Sequence, residues 1–352
     1  MANIMQIKQE EIKVSQQSWT LYTLINDQGM EVSCLNFGGI ITKIITPDQN
    51  NKFENVVLGY ESYEEYLKNP NFFGALIGRV AGRIQGSQFQ LDGETFDVPA
   101  NEGENHLHGG TPGFHKVVWD VKPFESKNEV GLKLFHTSAD GENGYPGTVD
   151  VTVTYTLNNE NQFSIAYEAI SDKKTAFTAT NHSYFNLSGD LKSDILNHEV
   201  TLDSSKFVEL DEALIPTGNI PAVDGTVFDF REGRQIKDGS NSDYKQNLVA
   251  KNGYDHYFLF DHSKEESVVV KDQESGRKLT VTTDQPGMVM YTSNGLDDSL
   301  KLAEGPSKKY LGVCLETQAS PASLHHEKGF PSIILEKDEK YVAKTTFAFG
   351  VE

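Results

Sequence analysis

Thr148-Val149-Asp150-Val151-Thr152-Val153-Thr154-Tyr155-Thr156-Leu157 alternates polar with apolar residues at every step. Successive side chains of a strand point to opposite faces, so Val149, Val151, Val153, Tyr155 and Leu157 share one face and the threonines with Asp150 share the other. A polar stretch, Asn158–Gln162, interrupts the pattern. Phe163, Ile165, Tyr167 and Ala169 then resume it, and the whole reads as a β-hairpin with one buried face.

The same signal recurs outward from this hairpin. Phe89–Val98 carries Asp92-Gly93 between two short alternating runs, and the glycine suits the positive φ of a tight turn. Trp19–Phe37, broken at Asn26–Gly29, and Ser267–Thr283, broken at Glu274–Arg277, predict two more hairpins. Glu61–Lys68 is the best short helix, and the polar run Asp238–Gln246 predicts a surface loop. No fixed-period repeat and no Pro/Gly/Ser linker divides the chain, so residues 1–352 read as one domain. The expected class is all-β, with two antiparallel sheets packed face to face, although alternation alone does not separate a sandwich from a barrel.

Charge narrows the partners. The chain has 352 residues and a formal net charge of −20. An acidic surface repels phosphate backbones and anionic lipids, so neither nucleic acid nor a membrane surface is expected to bind, and a neutral small molecule is indifferent to the field. Cys34 and Cys314 are too sparse for a disulfide scaffold and sit in apolar, strand-like runs as free thiols. MANIMQIKQEEIKV has no apolar core of a signal peptide, and no apolar run approaches the ~20 residues of a membrane helix, so the chain reads as cytoplasmic. Monomer and homodimer both remain open.

Five segments depart from ordinary strand or loop. Gly78–Ile84 (GRVAGRI) places Arg79 and Arg83 among small residues, where a guanidinium can tie loops together or fork onto hydroxyls or a carboxylate. Asn105–Gly110 (NHLHGG) puts His106 and His108 on one side of a strand. His-x-His is a metal-ligand spacing, but such a site also wants a carboxylate a few residues on, and Gly109–Lys116 has none, so no metal is expected. Asn181–Gly189 (NHSYFNLSG) concentrates donors and acceptors that would be costly in a core without partners. Gly253–Phe258 (GYDHYF) sets Asp255 and His256 between aromatics. Gly312–Gln318 (GVCLETQ) ends a buried run on Glu316, which read alone is equally a rim residue, half of an ion pair, or a carboxyl raised by desolvation toward the range of a general base.

Taken together these segments resemble the aldose 1-epimerase (galactose mutarotase) family, in its order and across nearly the whole chain. Pro216-Thr217-Gly218, Phe228-Asp229-Phe230 and Tyr291-Thr292 with Asn294 fill the gaps. The resemblance implies a large antiparallel β-sandwich of the galactose mutarotase type, no cofactor, and a cleft that binds a free sugar. It implies Glu316 as catalytic base and His182 as catalytic acid, with Arg83, His108 and Asp255 at sugar-binding positions and Asn181, Tyr184, His106 and Gln318 beside them. Two segments depart from the family pattern. Gly82 stands where asparagine is usual, and Val289-Met290 precede Tyr291 where glutamine is usual, followed by Ser293 in place of glycine. The rivals are a hexose 6-phosphate epimerase, which would need a cationic cluster, and a sugar-binding protein without catalysis.

Overall fold

The computed structural model describes residues 4–352. The quoted run forms the strand Val149–Asn158, and its five predicted apolar residues are all buried. Its partner is Gln162–Ser171, with Val153 opposite Tyr167 and Tyr155 opposite Ile165. Asn158 builds the turn, because its Oδ1 accepts from the N–H groups of Glu160 (2.9 Å) and Gln162 (3.0 Å). The Asp92-Gly93 hairpin joins Gln88–Leu91 to Glu94–Asp97, with both turn residues at positive φ as a type I′ turn requires.

Val149–Asn158 and Gln162–Ser171 belong to a nine-stranded antiparallel sheet that also holds Lys340–Val351 and Arg277–Thr283, while the Asp92-Gly93 hairpin is a separate two-stranded sheet. A five-stranded sheet covers Gln6–Val14 through Phe53–Asn55. A third sheet, also five-stranded, runs in the order Tyr184–Phe185, Val313–Thr317, Gly287–Tyr291, Asp255–Leu259, Lys206–Phe207. One apolar cluster joins all three, from Leu24 and Ile44 through Val153 and Phe347 to Phe258, Met288, Met290, Val313 and Leu315. The architecture is therefore mostly β and antiparallel, with three principal sheets rather than the two expected.

Other expectations change in detail. Glu61–Lys68 becomes a 3₁₀ turn, Tyr63–Leu67, capped by the Ser62 hydroxyl. Asp238–Gln246 is not simply a loop: helices Lys237–Ser240 and Lys245–Val249 occupy it, and Gln246 is buried. Its polar composition hides that Gln246 and Asn247 spend their amides on internal backbone groups. Cys34 and Cys314 are free and buried. No helix among the described residues is long and apolar enough to cross a membrane.

Candidate active site

Strand alternation sorts the third sheet into a core face and a cleft face. Val313 and Leu315 enter the core, while Cys314 and Glu316 face the other way. Glu316 lies opposite Val289, and Tyr291 lies between Cys314 and Asp255 in the pairing. Glu316, Val289, Tyr291, Asp255 and Tyr257 thus line one side of a cavity of about 300 Å³, the lower end of the range for small-molecule sites.

The opposing wall brings His182. Its backbone is pinned by Ala75 O, and its ring lies between Tyr184 (5.1 Å between centroids) and Phe72 (5.7 Å). Phe72 sits at φ 58°, an unfavourable conformation for a bulky residue, and its edge also meets His108 and His115. The Tyr184 hydroxyl donates to Asn71 O at 2.8 Å and so anchors this loop over the histidine. The Nε2 of His182 is 3.6 Å from Glu316 Oε1, and both residues are nearly inaccessible.

Burial pushes the two members of this pair in opposite directions. Glu316 is raised well above the usual carboxyl range by desolvation, with the Asp255 carboxylate adding to it and Arg83 opposing. Desolvation lowers His182 to about 4. Each charged form is disfavoured alone. Yet a carboxylic acid beside a neutral imidazole and a carboxylate beside an imidazolium contain the same single proton, placed on one partner or the other. A pair of this kind can move a proton from His182 to Glu316 through a bound molecule and take it back without exchanging one with solvent. A second proton enters only near the lowered value of His182, about 4. The expected pH profile of kcat/KM is therefore flat down to about pH 5 and falls below it, up to tenfold per unit. Polarimetric rates corrected for the buffer reaction, with circular dichroism confirming the fold at each pH, test this; a decline already complete at pH 6 would contradict it.

His108 is fixed differently. Its Nδ1 accepts the Gly82 N–H at 3.1 Å, so in the neutral ring the proton sits on Nε2. Burial lowers this imidazole well below its ordinary value, and His182 and Arg83 add to the effect. His182 has its Nδ1 3.6 Å from Cys314 Sγ, a thiol that burial keeps protonated. The neutral His108 consequently offers an N–H to the cleft. This bears on metal binding, because His108, His182 and Glu316 carry ligand atoms within 4.8 Å of one another. A metal takes a lone pair, and the His108 ring has its own turned to the Gly82 N–H, so the donor set fits hydroxyl and ring oxygens better than an ion.

Arg83 donates to both oxygens of Glu102, with Nη2 at 2.7 Å from Oε1. A fork onto hydroxyls or a carboxylate was one of the two readings of the arginine pair; sequence reading did not single out Glu102, which has no motif around it. Arg79 is wholly internal and bonds Ser138, Ala139 and Pro146. The Asp255 carboxyl is raised by burial, with Arg83 countering. Gln318 donates to Ala81 O, while its buried Oε1 has no partner and is free to accept from a ligand.

Two expected neighbours are turned elsewhere. His106 does not share a side with His108, because His108 stands at φ 51° and breaks the alternation. The His106 ring instead bonds Pro99 O (2.8 Å) and the Tyr145 hydroxyl (2.7 Å), away from the cleft. Asn181 spends its amide on Gly74 O and on the N–H and hydroxyl of Ser183. Gly82, the departure from the family pattern, sits at φ 91°, and a Cβ there would lie 2.9 Å from Pro321 Cγ, so any side chain would be strained.

The sequence matches the family Aldose 1-epimerase over residues 20–348. It is 39% identical over 333 residues to the galactose mutarotase of Bos taurus and 40% identical over 334 to that of Mus musculus, covering 94% of both chains in each case. Among solved structures, a galactose 1-epimerase from Lactobacillus acidophilus superposes with a TM-score of 0.89 at 30% identity, over 99% of each chain.

Proposed function

The chain belongs to the aldose 1-epimerase family and interconverts the anomers of a sugar, and from that premise we propose that Glu316 and His182 are its base and acid and that free aldohexoses such as galactose and glucose are its substrates. The observation that carries the assignment is the 3.6 Å approach of two buried, oppositely shifted groups in one cleft.

Glu316 takes the proton of the C1 hydroxyl as the C1–O5 bond breaks and C1=O forms. The bond's electron pair goes to O5, which takes the proton from His182. The proton has then moved from histidine to glutamate, leaving the open aldehyde beside a neutral pair. Rotation about C1–C2 presents the other carbonyl face. Reclosure reverses both transfers and restores the pair. Arg83, Asp255, the His108 Nε2–H and the free Gln318 Oε1 hold hydroxyls, and this positioning keeps the reacting atoms aligned.

Phosphorylated hexoses fit less well. Among the described residues the cations lining the cavity are Arg83, already engaged by Glu102, and Lys251. The test is the optical rotation of freshly dissolved α-D-galactose and α-D-glucose. The protein is expected to speed equilibration by at least ~10²-fold over buffer, unchanged by a chelator, with glucose 6-phosphate a poorer substrate than glucose. No acceleration on either free sugar, or faster turnover of the phosphate ester, would refute the substrate assignment.

A further inference from the structure

We propose that Gln246 is a positioning residue that holds the sugar-binding side of the cleft open by wedging the segment 208–216 away from the strand carrying Asp255. The inference rests on the reading of Asp255 as a sugar-holding carboxylate.

The strands Lys206–Phe207 and Asp255–Leu259 pair at Phe207–Phe258, and Val208 N–H still reaches Tyr257 O. Beyond that point the pairing ends, and the Asp255 N–H, which faces the same edge as Tyr257, has a side chain rather than a strand as its acceptor. His256 fills the gap. Its Nδ1 accepts the Asp255 N–H at 3.1 Å, so its proton lies on Nε2, which donates to Gln246 Oε1 at 3.0 Å. Burial lowers this imidazole to about 3 and keeps it neutral. Gln246 Oε1 also accepts from Leu210 N–H, and its Nε2 donates back to Leu210 O, both at 2.9 Å.

One amide therefore joins three parts of the cavity wall. It sets the backbone of Asp255 through His256, fixes Leu210 in the segment that also supplies Leu214 and Pro216, and anchors the helix Lys245–Val249, whose end leads into Ala250 and Lys251. Gln246 and His256 are both buried. No hydrogen bond of Gln246 or His256 reaches Glu316 or His182, so the loss of Gln246 should act mainly on sugar binding rather than on proton transfer.

The test compares wild type, Gln246→Leu, Gln246→Glu, Asp255→Asn and the double variant Q246L/D255N on α-D-galactose. Gln246→Leu removes every bond of the wedge and is expected to raise KM about tenfold or more with kcat within about threefold, since misplaced contacts cost binding and positioning. Partial unfolding would instead lower apparent kcat and leave KM alone. Gln246→Glu keeps the acceptor for His256 and Leu210 and should hold KM within about threefold. In the double variant the two effects should be clearly less than multiplicative, because Gln246 acts through Asp255. An unchanged KM in Q246L, a loss confined to kcat, or full multiplicativity overturns the inference. If D255N itself leaves KM unchanged, the reading of Asp255 fails, and this inference with it.

Discussion

Glu316→Gln is expected to slow sugar interconversion by about 10²- to 10⁴-fold while leaving KM and thermal stability close to wild type. The side chain is buried at the end of a strand, and desolvation already disfavours its charge, so the isosteric amide loses no ion-pair energy the fold depends on. It cannot accept the C1 proton, however, and the cycle between histidine and glutamate has no second seat for that proton. His182→Asn should cost a similar factor. The two together should be little slower than the worse single variant, because groups that act as one unit do not contribute additively. KM is insulated because Arg83, His108 and Asp255 would hold the sugar in either variant. Polarimetry at saturating galactose reads the rates, and calorimetry reads the stability. A rate within threefold of wild type for E316Q would remove Glu316 from the chemistry. A melting temperature lowered together with the rate would make its role structural.

Much of this site could be read before the fold was known, and the residues that escaped share a cause. Strand alternation announced the hairpin at Val149–Leu157, because one buried face and one wet face leave a mark on every second residue. Glu316 drew attention as a carboxylate closing an apolar run, but that run fits a rim residue or an ion pair equally, and only the resemblance gave it a role. Three sheets rather than two could not be foreseen, since alternation reports that a strand has a buried face and not what covers it. His106 and Asn181 were expected near the sugar from their segments, yet one residue at positive φ, His108, turns the first aside, and a turn around Gly74 consumes the second. Backbone conformations of this kind at a residue other than glycine leave no compositional trace. Phe72 is the same case from the other side, an aromatic in a bland loop brought over His182 by an unusual φ. Glu102 and Gln246 are ordinary polar residues whose importance comes only from what faces them, Arg83 for one and His256 with Leu210 for the other.

Arg277→Met is expected to destabilise the folded chain by about 3–5 kcal/mol, and pairing it with Glu54→Met should recover little of that loss. The guanidinium is 2% exposed. It donates to the carbonyls of Leu187 and Ser188 (3.2 Å each), Thr46 (3.2 Å) and Lys52 (3.1 Å), and to Glu54 Oε2 at 3.0 Å. Glu54 has other cations: burial opposes its charge, but Lys192, Lys52 and Arg277 outweigh it and hold it at about 2. The lysines remain when Arg277 goes, so the stranded carboxylate is not the main cost. The carbonyls are: all four lose a charged donor that neither methionine replaces, although Leu187 O and Lys52 O keep the Ser275 hydroxyl and the Asp48 N–H as partners. Two explanations of the same residue thus predict different double variants. If charge pairing dominated, removing both charges would restore stability, as it does for many buried ion pairs. If carbonyl satisfaction dominates, the double variant stays as weak as R277M, with a melting point roughly 5 °C below wild type. Gly189 favours the second: a Cβ there would come within 2.4 Å of both Arg277 Nη1 and Glu54 Oε2, so the chain leaves room for the guanidinium beside the backbone it serves. That backbone closes the segment beginning at His182. At 25 °C the folded fraction of R277M should keep wild-type KM for galactose while losing activity many degrees earlier on heating.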